Sequence, residues 1–277
     1  MTKVSNWGTQ VEPNLTRTRV SHKFPKRQKL TCFPPPGPGG GGGSGIAEIY
    51  TDPDTGRHYT WAQVRSASVA FGRGLRSEWG FGRGDVLGFF SPNSVDYAAA
   101  LFGAHWAGGA ASTANPTYTA AELAFQMRDS RARGIVTQLP FAAVALQAAR
   151  EVGIPDHRVV LIGDARDPEG KLRHFTEIRD RGRDEGAASP RTQVDPRKDA
   201  AFIVYSSGTT GLPKGVPLTH YNIVANLEQL VYVDTLNGLT PFGGVDGKGD
   251  KQLAILPFFH VYVSSPASPR TPDPNSA

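Results

Sequence analysis

Residues 201–219 read AFIVYSSGTTGLPKGVPLT, the most informative stretch of this 277-residue chain. The first five residues are apolar or aromatic and are typical of a buried strand. The next ten interleave four hydroxyl side chains with three glycines and one lysine, Lys214. A helix over 221–233 is predicted to follow, with Thr219 as its N-cap. A strand, a glycine-containing loop and a helix in this order are a common setting for binding phosphate.

Each residue type in this loop suits an anion. Glycine lets the backbone turn so that consecutive N–H groups point at one ligand, hydroxyls add donors, and lysine adds positive charge. The loop is not a Walker A motif, because Pro213 precedes the lysine and Gly215 follows it. On composition alone, a flexible surface loop is an equally good interpretation. The candidate phosphate-binding residues are Ser206, Ser207, Gly208, Thr209, Thr210, Gly211 and Lys214.

Upstream of this loop, short apolar runs alternate with segments that have helical features. Two capping boxes, Thr60 with Gln63 and Thr119 with Glu122, predict the first turns of helices. This alternation predicts an α/β fold of layered, mostly parallel sheets with flanking helices. The predicted helices run from 61 to about 80, 95–107, 120 to about 131, and 141–152, and the predicted strands are 85–90, 135–137 and 159–162.

Composition excludes several classes of protein. Apolar residues make up 39% of the chain, enough for a core, and a single cysteine excludes a disulfide scaffold. The longest mostly apolar stretch, 98–111, is too short to span a bilayer. The net charge of +5 arises in residues 1–33, which hold seven Lys or Arg and one acid. Because the rest of the chain is nearly neutral, a nucleic-acid-binding domain is not predicted.

The composition also predicts the domain boundaries. Residues 1–45 are a predicted disordered basic tail that ends in the linker PPPGPGGGGGSG, and an organelle transit peptide is the less favoured alternative. The folded region is predicted to cover 46–262, and residues 263–277 form a second disordered tail rich in Ser and Pro. Within the folded region, 163–199 is polar with charges of both signs and is predicted to be a solvated connector of loops and a surface helix.

The ordered string SSGTTGLPKG resembles the phosphate loop of the AMP-forming acyl/aryl-CoA synthetases, the adenylating family that includes 4-coumarate–CoA ligases and firefly luciferase. Three further segments match in order and spacing: GRHYT at 56–60, NPTYTAAEL at 115–123 and LPFFHVY at 256–262. The resemblance covers roughly 46–262 and is nearest to the 4-coumarate–CoA ligase-like branch. It implies part of the large N-terminal domain of an adenylating enzyme.

The resemblance implies an ATP-dependent carboxylic acid–CoA ligase that works through an acyl-adenylate. Lys214 and His260 would be catalytic, and His260 and Tyr262 would bind the acyl substrate. ATP with its Mg²⁺, CoA and a small-molecule carboxylic acid are the expected cofactors and partners. No histidine or cysteine spacing in the chain predicts a protein-bound metal.

The resemblance stops after Tyr262, where the family's chain continues. We therefore expect an incomplete and inactive version of the ligase. The alternatives are a non-catalytic nucleotide-binding or interaction module, and an adaptor whose residues 1–33 contact an anionic partner. The C-terminus lacks the SKL address, which makes the cytoplasm the expected compartment. The sequence does not predict an oligomeric state.

Overall fold

The computed structural model describes residues 48–184, 190–206, 213–236 and 257–260. The predicted tails 1–45 and 263–277, five of the candidate loop residues and Tyr262 lie outside these ranges. The strands are β1 (Glu48–Thr51), β2 (His58–Thr60), β3 (Val86–Phe90), β4 (Ala110–Ala114), β5 (Ala132–Thr137), β6 (Val159–Leu161), β7 (Arg173–His174), β8 (Ala200–Ser206) and β9 (Lys214–Thr219). The helices are α1 (Trp61–Trp79), α2 (Val95–Ala107), α3 (Ala120–Asp129), α4 (Ala142–Val152), α5 (Phe175–Asp184) and α6 (His220–Leu236).

The main sheet has the strand order β7-β6-β5-β3-β4-β8-β9, and β1 and β2 form a separate antiparallel pair. Neighbours in the main sheet are parallel except β9, which runs antiparallel to β8. Helices α1, α2 and α5 pack with one apolar cluster, and α3 and α4 with another. The two clusters lie on opposite faces of the sheet, because the consecutive residues Ile135 and Val136 of β5 belong to different clusters. The predicted α/β fold with a mostly parallel sheet and flanking helices is confirmed.

Local capping explains where the helices begin and end. Thr60 and Thr119 accept hydrogen bonds from the N3 backbone N–H of α1 and α3, and both predicted capping boxes form. Helix α2 begins after Ser94 and ends at Gly108, whose φ of 96° lies in the left-handed region that favours glycine. None of the helices within the described ranges is long and apolar enough to cross a membrane.

The predicted order of strand, loop and helix at 201–233 is wrong in one respect. Strand β9 lies between the loop and α6 and pairs with β8 along its whole length. Ser206 pairs with Lys214 at one end of the two strands, and Ala200 pairs with Thr219 at the other. The loop therefore joins two strands of a hairpin instead of leading directly into a helix N-terminus. Pro217 is compatible with β9 because this strand is the last in the described sheet, where a missing backbone donor is tolerated.

The predicted connector does contain a helix, α5, but the prediction that this segment is simply solvated is wrong. Phe175, Ile178 and Gly182 are buried, and the rings of Phe71 and Phe175 are 5.1 Å apart. At Gly182 a Cβ atom would lie 1.9 Å from the carbonyl oxygen of Ala70, so α5 and α1 are in backbone contact. Helix α5 is polar overall, but its buried residues form a narrow apolar stripe that completes one side of the core.

Candidate functional site

The predicted phosphate loop is anchored on the β8–β9 hairpin. Ser206 ends β8 and Lys214 begins β9, and these two residues are direct partners across the pair. Both side chains are exposed. The hairpin therefore brings an exposed hydroxyl and an ammonium group together at the base of the loop. The remaining predicted residues, Ser207, Gly208, Thr209, Thr210 and Gly211, lie outside the described ranges.

A crevice is expected at the edge of the sheet where β8 ends. Parallel strands place their carboxyl ends at one edge, which here joins the ends of β3, β4, β5, β6 and β8. The connection after β3 leads to α2, whereas the connection after β4 leads to α3 on the opposite face. Ligands of open α/β sheets bind where successive connections diverge in this way.

Residues 257–260, part of the segment that contains His260, lie against the ends of β3 and β4. The Phe258 N–H donates to Asn93 Oδ1 at 2.7 Å, and Thr113 Oγ1 donates to the Phe259 carbonyl oxygen at 2.7 Å. The Phe258 ring makes an edge contact with Tyr97, with centroids 5.7 Å apart. These contacts hold the segment at this edge of the sheet from both sides.

His260 is consequently brought to the same edge of the sheet as the loop base. Strand β4 pairs with β8 through Ser112 and Ile203, so Thr113, which binds the 257–260 segment, lies one strand away from the end of β8. The His260 side chain is exposed, and its backbone N–H donates to the Pro257 carbonyl at 3.0 Å. Of the two predicted acyl-binding residues, Tyr262 lies outside the described ranges.

The sequence interpretation missed the residues that hold these segments in place. Gln126 in α3 donates through Nε2 to Ser112 Oγ and to the Thr113 carbonyl, both at 3.0 Å. Tyr205, directly before Ser206, donates to Asp129 Oδ2 at 2.5 Å. Burial, and then the hydrogen bond to Asp129, raises the pKa of Tyr205. Asn93 was detectable as a polar residue following a buried strand, but no local pattern pointed to Gln126 or Asp129.

A second polar cluster surrounds Asp96 at the start of α2. Asp96 is fully buried and accepts hydrogen bonds from Arg57 Nη2 at 2.7 Å, the Tyr59 hydroxyl at 2.8 Å and the Gly163 N–H at 3.0 Å. Burial, and then the Asp96 carboxylate, raises the pKa of Tyr59 to about 12. The cluster joins the β1–β2 pair to the main sheet and is therefore structural support at this edge of the sheet.

The donor set at the hairpin base fits an anion and not a protein-bound cation. A lysine ammonium and a serine hydroxyl can donate to phosphate oxygens. In the part of the chain that the structure describes, no group of three or more His, Cys, Asp or Glu side chains could hold a metal ion.

Comparison with known proteins gives a consistent result. The sequence profile of the family described as AMP-binding enzyme matches residues 44–265. The chain is 38% identical over 209 residues to 4-coumarate-CoA ligase 1 of Narcissus pseudonarcissus, covering 75% of this chain and 35% of that protein. It is 37% identical over 218 residues to 4-coumarate–CoA ligase 3 of Oryza sativa subsp. japonica, covering 79% and 36%.

A solved structure agrees with these sequences. The crystal structure of a long-chain-fatty-acid-CoA ligase from Archaeoglobus fulgidus matches with a TM-score of 0.62 at 25% identity, covering 80% of this chain and 40% of that one. The chain thus spans about a third of the length of the curated relatives it matches. From the extent of the family match, and from the fold and motifs that accompany it, the chain belongs to the AMP-binding enzyme family.

Proposed function

We propose that residues 46–262 are part of the adenylation domain of an ATP-dependent carboxylic acid–CoA ligase. The observation that carries this proposal is the meeting of two segments at one sheet edge. Ser206 and Lys214 lie at the base of the loop, and 257–260 is bound by Asn93 and Thr113 at the neighbouring strand ends. A site of this kind can hold a polyphosphate and an acyl carboxylate side by side.

The proposed reaction has two halves. In the first, a carboxylate oxygen attacks the α-phosphorus of ATP, the bond to the bridging oxygen breaks, and acyl-AMP and pyrophosphate form. In the second, the thiolate of CoA attacks the acyl carbon and AMP leaves. Mg²⁺ bound to the ATP phosphates supplies further charge neutralisation.

The loop residues act on the leaving pyrophosphate in this proposal. Residues 206–211 and Lys214 bind the β- and γ-phosphates, and the lysine stabilises the charge that develops as the α–β bond breaks. His260 and Tyr262 position the acyl carboxylate for attack. Removing one preorganised donor of this type lowers the rate by about 10²–10³-fold.

The acyl substrate is proposed to be an aryl carboxylic acid. Two of the similar proteins are named 4-coumarate–CoA ligases. Aromatic rings also gather where the 257–260 segment lies, since Phe258 contacts both Tyr97 and Tyr50. Tyr97 is buried, whereas Phe258 is half-buried, and an aryl group can pack against the exposed part of its ring through edge or offset contacts.

A stable mimic of the intermediate tests the proposal. We expect an aryl sulfamoyl adenosine to bind the 277-residue chain more tightly than either AMP or a long-chain acyl sulfamoyl adenosine in calorimetry. His260→Ala should weaken binding of the aryl mimic, whereas His157→Ala, an exposed histidine on the surface, is the matched control. Binding of the aryl mimic no tighter than AMP would contradict the proposed acyl site.

The second candidate is a nucleotide-binding module without turnover. It is favoured by the base of the hairpin, where the exposed Ser206 hydroxyl and Lys214 ammonium can donate to phosphate oxygens whether or not an acyl group is transferred. In this candidate function, the 277-residue chain binds nucleotide and forms no CoA thioester. ATP–pyrophosphate exchange with a panel of aryl and fatty acids separates the two candidates. Acid-dependent exchange favours the ligase, and ATP binding without exchange favours the module.

A further inference from the structure

We propose that Tyr205 and Asp129 are positioning residues that fix the base of the phosphate loop, so that Ser206 and Lys214 bind the same polyphosphate. The inference rests on the proposed function of the loop. Neither residue belongs to the predicted phosphate-binding set, and Asp129 is separated from Tyr205 by 76 positions in the sequence.

The first observation is the contact between the two side chains. Tyr205 is the last residue of β8 before Ser206, and Asp129 is the last residue of α3. The Tyr205 hydroxyl donates to Asp129 Oδ2 at 2.5 Å, and the Gln126 carbonyl lies 3.4 Å from the same hydroxyl. A hydrogen bond from a hydroxyl to a carboxylate is about twice as strong as one between neutral groups. The end of β8 is therefore tied to α3 immediately before the loop begins.

The second observation lies on the other side of the hairpin. Tyr205 pairs across the strands with Gly215, the residue that follows Lys214. A Cβ atom on Gly215 would lie 2.9 Å from both Cζ and Oη of Tyr205, and 3.2 Å from Asp129 Oδ2. The tyrosine ring therefore lies directly against the backbone of Gly215. One anchored side chain thus restrains the last residue before the loop and the first residues after it.

The third observation concerns direction. Side chains alternate between the two faces of a strand, and directly paired residues point to the same face. Tyr205 and Gly215 form one pair and Ser206 and Lys214 the next. Because Tyr205 points toward α3, the alternation directs Ser206 and Lys214 to the opposite face. A shift of one position in the pairing would exchange the two faces, so an anchor at Tyr205 protects the orientation of the phosphate-binding groups.

The contact also has an electrostatic role. Asp129 places a carboxylate near a loop proposed to bind phosphate, where an unpaired negative charge would repel the ligand. The hydrogen bond from the Tyr205 hydroxyl occupies one oxygen of this carboxylate and partly offsets its charge. Tyr205 thus both holds the strand and weakens the repulsion between Asp129 and an anionic ligand.

The test compares Tyr205→Phe, Asp129→Asn and the double variant in the full 277-residue chain. Inorganic pyrophosphate is titrated into each protein by calorimetry. We expect each single variant to raise the Kd for pyrophosphate by about fivefold to tenfold, the loss that corresponds to one hydrogen bond. The double variant should be no weaker than the single ones, because all three lack the charge-assisted hydrogen bond between Tyr205 and Asp129. Asp156→Asn, which removes a carboxylate from the exposed Arg150–Asp156 pair, is the matched control.

Amide hydrogen exchange provides a readout that does not depend on the ligand. Exchange should become faster at the paired ends of β8 and β9 in Tyr205→Phe and Asp129→Asn, with no change in β3 or β5. Gly215→Ala should have the same local effect, because its Cβ displaces the tyrosine ring. Unchanged exchange at Ser206 and Lys214 in all three variants would overturn the proposed anchoring.

The outcomes separate this inference from the function on which it rests. If wild type does not bind pyrophosphate, or Lys214→Ala leaves binding unchanged, the proposed function of the loop fails and the inference fails with it. If Lys214→Ala weakens binding but Tyr205→Phe and Asp129→Asn do not, only the positioning role is wrong. A general fall in thermal midpoint with faster exchange throughout the sheet would show a purely structural role and would also overturn it.

Discussion

Lowering the pH from about 7.5 to about 5 is expected to destabilise the fold through two buried histidines. His105 in α2 donates through Nε2 to the Ala201 carbonyl at 2.9 Å, and its ring centroid is 5.4 Å from that of His220 at the start of α6. Burial lowers the pKa of His105 to about 4. Burial, and then the charges of His105 and Arg191, lower the pKa of His220 to about 3.

The sign and size of the effect follow from these pKa values. An unfolded histidine has a pKa of about 6.5, so below that pH the unfolded state binds protons that the folded state does not bind. Stability is full above about pH 6.5 and falls as the pH approaches the folded pKa values. Each histidine costs about 1.4 kcal/mol per pH unit, or about 2 kcal/mol at pH 5. Together the two cost about 4 kcal/mol, against a total stability of about 5–15 kcal/mol for an ordinary domain.

Urea unfolding at several pH values between about 5 and 7.5 measures this slope. His105→Gln keeps a donor for Ala201 and should reduce the slope by about 1.4 kcal/mol per pH unit. His157→Gln removes an exposed imidazole and serves as control. Burial also lowers the pKa of His174, which therefore adds the same amount to the pH slope of the wild type and of both variants. The difference between the slopes of two proteins is thus independent of His174. An identical slope in His105→Gln and wild type would refute the reasoning.

Two further predictions concern stability. Asp96→Ala should lower the free energy of unfolding by roughly 3 kcal/mol, because the Tyr59 hydroxyl and the Gly163 N–H lose their acceptor and Arg57 keeps only Asp164 of its two carboxylate partners. In urea unfolding, Asp156→Asn at an exposed ion pair should have little effect, and equal losses would contradict the assignment. Gly182→Ala should cost about 3 kcal/mol or more, because its Cβ would overlap the Ala70 carbonyl. Gly82→Ala, where a Cβ meets open space, is the control for thermal unfolding, and similar midpoints for the two alanine variants would show that the α1–α5 contact is not tight.

Elements with strong local signals were predicted well. Helix α2 has the bounds that the sequence indicated, because Ser94 caps its start and Gly108 ends it in a left-handed conformation. The capping boxes at Thr60 and Thr119 marked α1 and α3 for the same reason. In each case, a hydrogen bond within four residues determines the boundary, so the information is present in a short stretch of sequence.

Elements stabilised mainly by tertiary contacts were missed. Strand β4 reads AASTA, which has weak strand propensity, and its fully buried position between β3 and β8 determines its conformation. Strand β9 contains Pro217, and pairing with β8 outweighs that local signal. The site shows the same division. Lys214 was predicted from its loop, but the contact of Asn93 with Phe258 joins residues 165 positions apart, so no short stretch of sequence contains it.

The measurement that tests the account most directly is calorimetric titration of ATP, pyrophosphate and AMP into wild type and Lys214→Ala. Lys214 is exposed at the base of the loop, so its loss should leave the fold intact. Lys171→Ala, an exposed lysine paired with Glu169, controls for the lost charge. We predict that Lys214→Ala weakens ATP and pyrophosphate binding by about 1.5–3 kcal/mol, the range for a charge-assisted hydrogen bond, and changes AMP binding little. Equal losses for AMP and ATP, or no loss for either, would contradict the assignment of this loop to the leaving phosphates.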